Sequence, residues 1–226
     1  MSAPAAPVTG GRDGAPRVGP RVGRRHRAGA ALRRLLWRAS FRVGAGGLEV
    51  TGPVPTDACV LVANHSSHAD TAALLAALPA AAAPVVAAAA DHWFASRRRA
   101  LVCRLLTGGR PVRRGGGGWA DLRSLDRHLR QGRIVVVFPE GTRSRDGSLG
   151  RFHSGAFRLA EHTGVPVVPV ALTGTAQVLP RDGSPRQRAC CRVAFGDPLD
   201  PGTIAAPEIA RVRVLGLLAG GDDGPR

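Results

Sequence analysis

A chain of 226 residues with 44% hydrophobic content can build one ordinary domain with its core and is too short for two well-packed ones. Its formal net charge of +16, with arginine as the only strongly basic residue type, calls for polyanionic surroundings: nucleic acid, an anionic membrane leaflet or phosphorylated substrates. Aromatic residues are only 4% of the chain and Tyr is absent, which leaves few stacking platforms for single-stranded nucleic acid; Cys59, Cys103, Cys190 and Cys191 show no metal spacing and read as reduced thiols, not a disulfide framework.

Residues 1–28 are mostly Pro, Gly, Ala and Arg with no periodic apolar face, the composition of a disordered basic tail. They lack the uninterrupted apolar segment of a secretory signal, so export is not expected. Over 29–45, Leu32, Leu35, Leu36, Ala39 and Val43 recur at helical spacing, while Arg33, Arg34, Arg38 and Arg42 mostly avoid that stripe and Trp37 and Phe41 border it. A basic amphipathic helix of this kind suits an anionic bilayer surface, each nearby arginine being worth about 1 kcal/mol. It equally suits a helix packed on the domain with a solvated charged face.

Cys59 to Ala63 is a short β-branched apolar run and predicts a buried strand; NHSSHAD follows, from Asn64 to Asp70, and leads into the helix-forming TAALLAAL. The end of a strand at the start of a helix is the usual place for a ligand crevice in open α/β sheets. His65 and Asp70, five residues apart, would diverge by about 140° on one helix. They can meet if His65 lies in the preceding turn, where Asn64, Ser66 and Ser67 are capping residue types. An aspartate that fixes one ring nitrogen leaves the other free as a general base. Ser66 and Ser67 are poorly placed as nucleophiles for an adjacent histidine. A metal reading of His65, His68 and Asp70 lacks a fourth ligand, so no metal is expected. A polar helix cap without chemistry is the plain alternative.

The charge-free stretch from Thr71 to Ala90 is interrupted by Pro79 and Pro84, which predicts a short helix and a buried strand near 85–89 in place of a transmembrane span. Asp91, His92, Trp93 and Phe94 follow, then the basic patch Arg97, Arg98 and Arg99. GGGGWADLRSLDRHLR predicts a helix with Leu122, Leu125 and Leu129 inward. The run from Ile134 to Phe138 predicts another buried strand, opening into a polar loop with Glu140, Thr142, Arg143, Ser144 and Arg145. Strand signals at about 58–63, 85–89, 109–113, 134–138, 167–172 and 190–195 alternate with helical stretches, and 207–218 reads as a surface helix before a disordered tail at 219–226. The fold class that follows is α/β: a single-domain sandwich with a mixed, largely parallel central sheet flanked by helices, preceded by the amphipathic helix.

His65 and Asp70 followed by FPEGTRS, from Phe138 to Ser144, resemble the glycerolipid acyltransferases of the 1-acylglycerol-3-phosphate O-acyltransferase family. GGRPVRR, from Gly108 to Arg114, resembles the family's second block, VPVVPVALTGT, from Val165 to Thr175, its fourth, and RFHSGAF, from Arg151 to Phe157, the segment after FPEGTRS. The second block departs from the pattern with Arg110 where a large apolar residue is common, and either Arg113 or Arg114 can be its closing arginine.

The resemblance implies an acyltransferase domain over 46–218 that moves a fatty acyl group from a thioester donor to the free hydroxyl of 1-acylglycerol-3-phosphate, forming phosphatidic acid. It implies His65 and Asp70 as catalytic residues and Arg114, Glu140, Gly141, Thr142 and Arg143 as binders of the acceptor's glycerol phosphate. Glu140 beside a phosphate would repel it, so a role on a hydroxyl or in positioning Arg143 is expected. Backbone N–H groups near the start of the helix after His65 are candidate oxyanion donors. No bound cofactor is implied; acyl-coenzyme A or acyl carrier protein is a co-substrate, and the expected location is peripheral, on the cytoplasmic face of the membrane. A different acceptor, a lysophospholipid or lyso-aminolipid, is the alternative within the class. A non-enzymatic basic membrane- or nucleic-acid-binding protein is the alternative outside it; it explains the charge but not the pairing of His65 with Asp70.

Overall fold

The computed structural model describes residues 22–114, 118–144, 146–180, 188–202 and 206–220. Seven strands form its sheet: β1 (Leu48–Thr51), β2 (Val60–Ala63), β3 (Val85–Ala89), β4 (Arg110–Val112), β5 (Val135–Val137), β6 (Val167–Thr173) and β7 (Cys191–Phe195). They lie in the order β1-β7-β6-β2-β5-β3-β4, parallel throughout except for the antiparallel β6–β7 pair. The mixed, largely parallel sheet expected from the alternating signals is present. β1 is the one strand the signals omitted, because LEVT is only half-buried and has no continuous apolar run.

β2 and β5 are completely buried, as central parallel strands covered on both faces must be. Alternate residues serve opposite layers. Leu61, Ala63, Val136, Val168, Val170 and Leu172 pack with α1 (Arg24–Gly44) and α2 (Asp70–Ala77). Val60, Val62, Val135, Val137 and Val167 pack on the other face with α6 (Asp126–Arg130), α7 (Gly155–Thr163) and α9 (Ala206–Ala219). Each such Val or Leu taken wholly out of water contributes about 1.5–3 kcal/mol before the entropy cost of ordering it. The helix read through 118–130 is two pieces, α5 (Gly118–Arg123) and α6, with Leu125 and Leu129 buried between layers as expected.

From β2 the chain steps through α2 to β3 and through α3 (Ala90–Trp93) and α4 (Arg97–Thr107) to β4; it then returns through α5 and α6 to β5, through α7 to β6, and passes α8 (Thr175–Val178) on the way to β7. A constant crossover hand requires helices on opposite faces for the two directions of travel, and that is where α2 and α7 lie. The loops leaving the neighbouring strands β2 and β5 therefore diverge to opposite faces. This opens a crevice at their C-terminal ends, the topological switch point.

α1 starts at Arg24, inside the stretch read as tail, and its outward and inward faces differ from a simple core stripe. Ala30 and Phe41 are buried and Trp37 donates its indole N–H to Leu106 O at 2.9 Å. Leu32 and Leu35 are 69% and 68% exposed, and Leu36 and Val43 also face outward. Leu101, Val102 and Leu105 are exposed on helix 97–107, which touches α1. No helix among the described residues is long and apolar enough to cross a membrane. The expected tails fall outside the described residues for 1–21 and 221–226, as does Arg145.

One clamp joins the two strands that flank the crevice on its β6 side. The Asn64 side chain donates to Leu172 O at 2.9 Å and accepts from Leu172 N at 2.8 Å, continuing the β2–β6 ladder one step past Ala63. Asn64→Ala leaves both groups buried and unpaired, and the expected loss is about 2–4 kcal/mol of unfolding free energy in chemical denaturation. A loss under about 0.5 kcal/mol would show that the clamp carries no load.

Candidate active site

His65 leaves the C-terminal end of β2 before α2 begins, so its ring and Asp70 lie on a turn and a first helical turn, not on one helix face. His65 Nδ1 is 2.8 Å from Asp70 Oδ2, with the imidazole 21% exposed and the carboxylate 0% exposed. The same Oδ2 accepts the backbone N–H of Ser66 at 2.7 Å and of Ser67 at 2.8 Å, and Oδ1 accepts the hydroxyl of Thr175 at 2.6 Å. All of these partners can act as donors, which is the pattern an ionised carboxylate satisfies. Nδ1–H then faces Asp70, and Nε2 is left as the acceptor nitrogen at the crevice.

The neighbouring groups hold the ring from other directions. Phe138, the last residue before the FPEGTRS turn tightens, stacks on the imidazole with centroids 4.0 Å apart and planes 18° apart. Glu140 Oε1 accepts the backbone N–H of His65 at 2.8 Å, and Oε2 accepts that of Gly150 at 2.9 Å. Burial pushes the Glu140 carboxyl above its ordinary range, opposed by those two backbone donors. Ser144 N–H donates to His65 O at 2.8 Å, so the loops after β2 and β5 are stitched in both directions. The turn between them closes through Gly141 N–H to Phe138 O at 3.1 Å, with Gly141 at φ 69°, a left-handed conformation that glycine adopts without a Cβ penalty.

Four of the residues read from sequence are thus gathered at one end of the sheet: His65 and Asp70 in contact, and Glu140 and Arg143 on the adjoining loop. Arg143 Nη1 donates to His68 Nε2, bringing the guanidinium over the turn that carries His65. Gly141 and Thr142 lie in the same loop and are exposed. Arg114 lies farther along, after the edge strand β4, where its Nε is 3.1 Å from Asp91 Oδ1; Arg113 is bound to Asp121 at 2.8 Å. The parallel order places the C-terminal end of β4 on the same side of the sheet as that of β2.

The structure adds two details that the sequence did not show. Glu140 accepts the backbone N–H groups of His65 and Gly150. The N–H groups of Ser66, Ser67, Ala69 and Asp70 are bound to Asp70 Oδ2, Ser67 Oγ and Ser67 O, so these four are taken up within the turn. Ser67 Oγ donates toward the carbonyls of Thr175 and Leu179 and is fully buried, which removes it as a nucleophile. Thr175, Phe138, His68 and Asn64 are site-building residues that sequence spacing did not single out for these roles. Thr175 closes the fourth block, but only the fold shows that it reaches Asp70. No grouping of metal-binding side chains occurs among the described residues, and the four cysteines are free.

The family model described as Acyltransferase matches residues 47–173. A chloroplastic 1-acyl-sn-glycerol-3-phosphate acyltransferase of Brassica napus is 56% identical over 52 residues, which is 23% of this chain and 15% of that protein. The 1-acyl-sn-glycerol-3-phosphate acyltransferase of Pseudomonas aeruginosa is 37% identical over 71 residues, 31% of this chain and 27% of its own length. These alignments therefore cover well under two thirds of the relatives. The fold is similar to the crystal structure of the 1-acyl-sn-glycerophosphate acyltransferase PlsC from Thermotoga maritima, with a TM-score of 0.71 at 23% identity over 87% of this chain and 81% of that one. The family match spans more than half of the sequence and contains the whole His65–Asp70–Glu140–Arg143 assembly: this chain belongs to the Acyltransferase family.

Proposed function

We propose that this protein transfers a fatty acyl group from a thioester donor to the free hydroxyl of 1-acylglycerol-3-phosphate, yielding phosphatidic acid. The observation that carries the reading is the His65 Nδ1–Asp70 Oδ2 contact at 2.8 Å, at the mouth of the β2/β5 crevice and joined to the Arg143 loop. His65 Nε2 takes the hydroxyl proton as the alcohol oxygen attacks the thioester carbon, and returns it to the thiolate as the carbon–sulfur bond breaks. A thioester supplies its own leaving group, so no enzyme nucleophile is needed. This accords with Ser67 being committed to carbonyls. Asp70 fixes the tautomer and offsets the charge that develops on the ring.

Arg143 is the strongest candidate for gripping the acceptor phosphate, with Gly141 and Thr142 beside it and Arg114 at the β4 end of the same edge. Acyl-coenzyme A and acylated carrier protein both suit the basic surface as donors. The exposed Leu32, Leu35, Leu36 and Val43 on α1, with Leu101 and Leu105 on α4 and arginines around them, support peripheral seating on the cytoplasmic face of an anionic bilayer. A second acceptor class, another lysophospholipid or lyso-aminolipid, is favoured by one observation: the Arg114 guanidinium is engaged by Asp91.

A panel of lyso-lipids with a labelled acyl thioester separates these readings. Turnover of lysophosphatidic acid above all others is expected; preference for a zwitterionic or uncharged head would transfer the activity to the alternative. His65→Ala should lower turnover by about 10²–10⁴-fold while lipid binding persists; unchanged turnover would remove His65 from the chemistry. Asp70→Asn turns an acceptor into a mixed donor, and kcat should fall by about 10³–10⁴-fold with KM little altered. Leu32→Glu combined with Leu35→Glu should weaken binding to anionic vesicles by about ten-fold or more in co-sedimentation, without changing the circular dichroism spectrum. Undiminished binding would place the membrane contact elsewhere.

A further inference from the structure

At the rim of the sheet opposite His65, the one formed by the N-terminal ends of the parallel strands, several basic side chains converge with no acidic partner among the described residues. Arg133 lies two residues before β5, Arg110 opens β4, and Ala83 lies two residues before β3, so all three are at the N-terminal ends of parallel strands. Arg133 is only 3% exposed; its Nε donates to Ala83 O at 2.8 Å and its Nη1 to His128 Nδ1 at 3.0 Å. Arg33 of α1 reaches the loop before β4, where a Cβ on Gly108 would stand 3.5 Å from its Nη2.

The hydrogen bond from Arg133 makes Nδ1 of His128 the acceptor, so in the neutral ring Nε2 carries the hydrogen. His128 is 4% exposed, yet this Nε2 has no partner among the described residues, and neither has the buried Nε of Arg33. Burial first, and then the charges of Arg133, Arg110, Arg127 and His26, push the His128 imidazole down to about 4. Burial, followed by Arg110 and Arg33, pushes Arg133 down to about 10. Buried cations and donors that repel one another need an acceptor of opposite charge to be stable. The acid on the His128 helix, Asp126, already pairs with Arg130.

We propose that this rim is a second anion site, in which Arg33, Arg110, Arg133 and the Nε2–H of His128 bind a phosphate group remote from the catalytic crevice. Arginine forks suit phosphate oxygens, and a buried imidazole N–H supplies a directional donor. The phosphate has two natural sources, an acidic phospholipid head, since α1 also carries the outward leucines, or a soluble phosphate or phosphate ester.

The test is thermal unfolding of the full chain in inorganic phosphate against chloride at equal ionic strength, and with phosphatidylcholine vesicles with or without phosphatidylglycerol. Saturating phosphate, or the phosphatidylglycerol vesicles, should raise the midpoint by about 3 °C or more. Arg110→Gln and Arg33→Gln should each abolish that rise, and should melt no lower than the natural chain without phosphate because a repulsive neighbour is gone. Arg143→Gln should keep the rise, which separates this site from an acceptor site at the other rim. A response to phosphatidylglycerol alone identifies the lipid head; a response to inorganic phosphate identifies a soluble ligand. No rise with either ligand, a rise retained in both arginine variants, or variants that melt lower without phosphate because an internal carboxylate already fills the site, would each overturn the proposal.

Discussion

One buried carboxylate sets the geometry on which the candidate active site depends. Asp70 is out of contact with solvent and gathers four donors, from His65, Ser66, Ser67 and Thr175. An ionised group in that position is tolerated only when its lone pairs are filled, and filling them requires the turn after β2 and the segment after β6 to stand at fixed distances. The histidine is therefore oriented as a consequence of satisfying the aspartate. Preorganisation of this kind is what general-base catalysis requires, because the ring need not be captured from a set of rotamers in each turnover.

The sheet explains why this carboxylate and the FPEGTR loop meet at all. β2 and β5 are neighbours in space but are separated in sequence by two strands and their helices. Their departing loops diverge because the chain reverses its direction of travel across the sheet between them. The loops are then tied back together by Glu140 on His65 N–H and by Ser144 N–H on His65 O. Divergence makes the hollow, and the paired hydrogen bonds stop it from widening. Fold and site are the same construction at this point.

Much of this was legible in the residues. The β-branched runs at Val60, Val135 and Val167 announced buried strands because central parallel strands tolerate no polar alternation, and the Pro79 and Pro84 interruptions correctly broke an apolar stretch into a helix and a strand. His65 and Asp70 could be paired because a turn before the helix was written in capping residue types. The roles of Thr175, Phe138 and Glu140 were not legible. Each acts on a residue far along the chain, and long-range contacts leave no periodic mark on local sequence. The direction of the α1 stripe was hidden for a related reason. Helical spacing shows that Leu32, Leu35 and Leu36 share a face, but only the position of Phe41 and Trp37 against the fold shows that this face turns outward.

The stacking of Phe138 on His65 has a directional consequence. With one π-face of the imidazole covered at 4.0 Å and Nδ1 tethered, the remaining nitrogen offers its lone pair along a single line in the plane of the ring. In the proposed reaction, an alcohol that yields its proton to this ring arrives in the ring plane along that line, and which oxygen of a polyol is acylated follows from which one reaches it. Phe138 would bear on that choice only by holding the orientation of the imidazole.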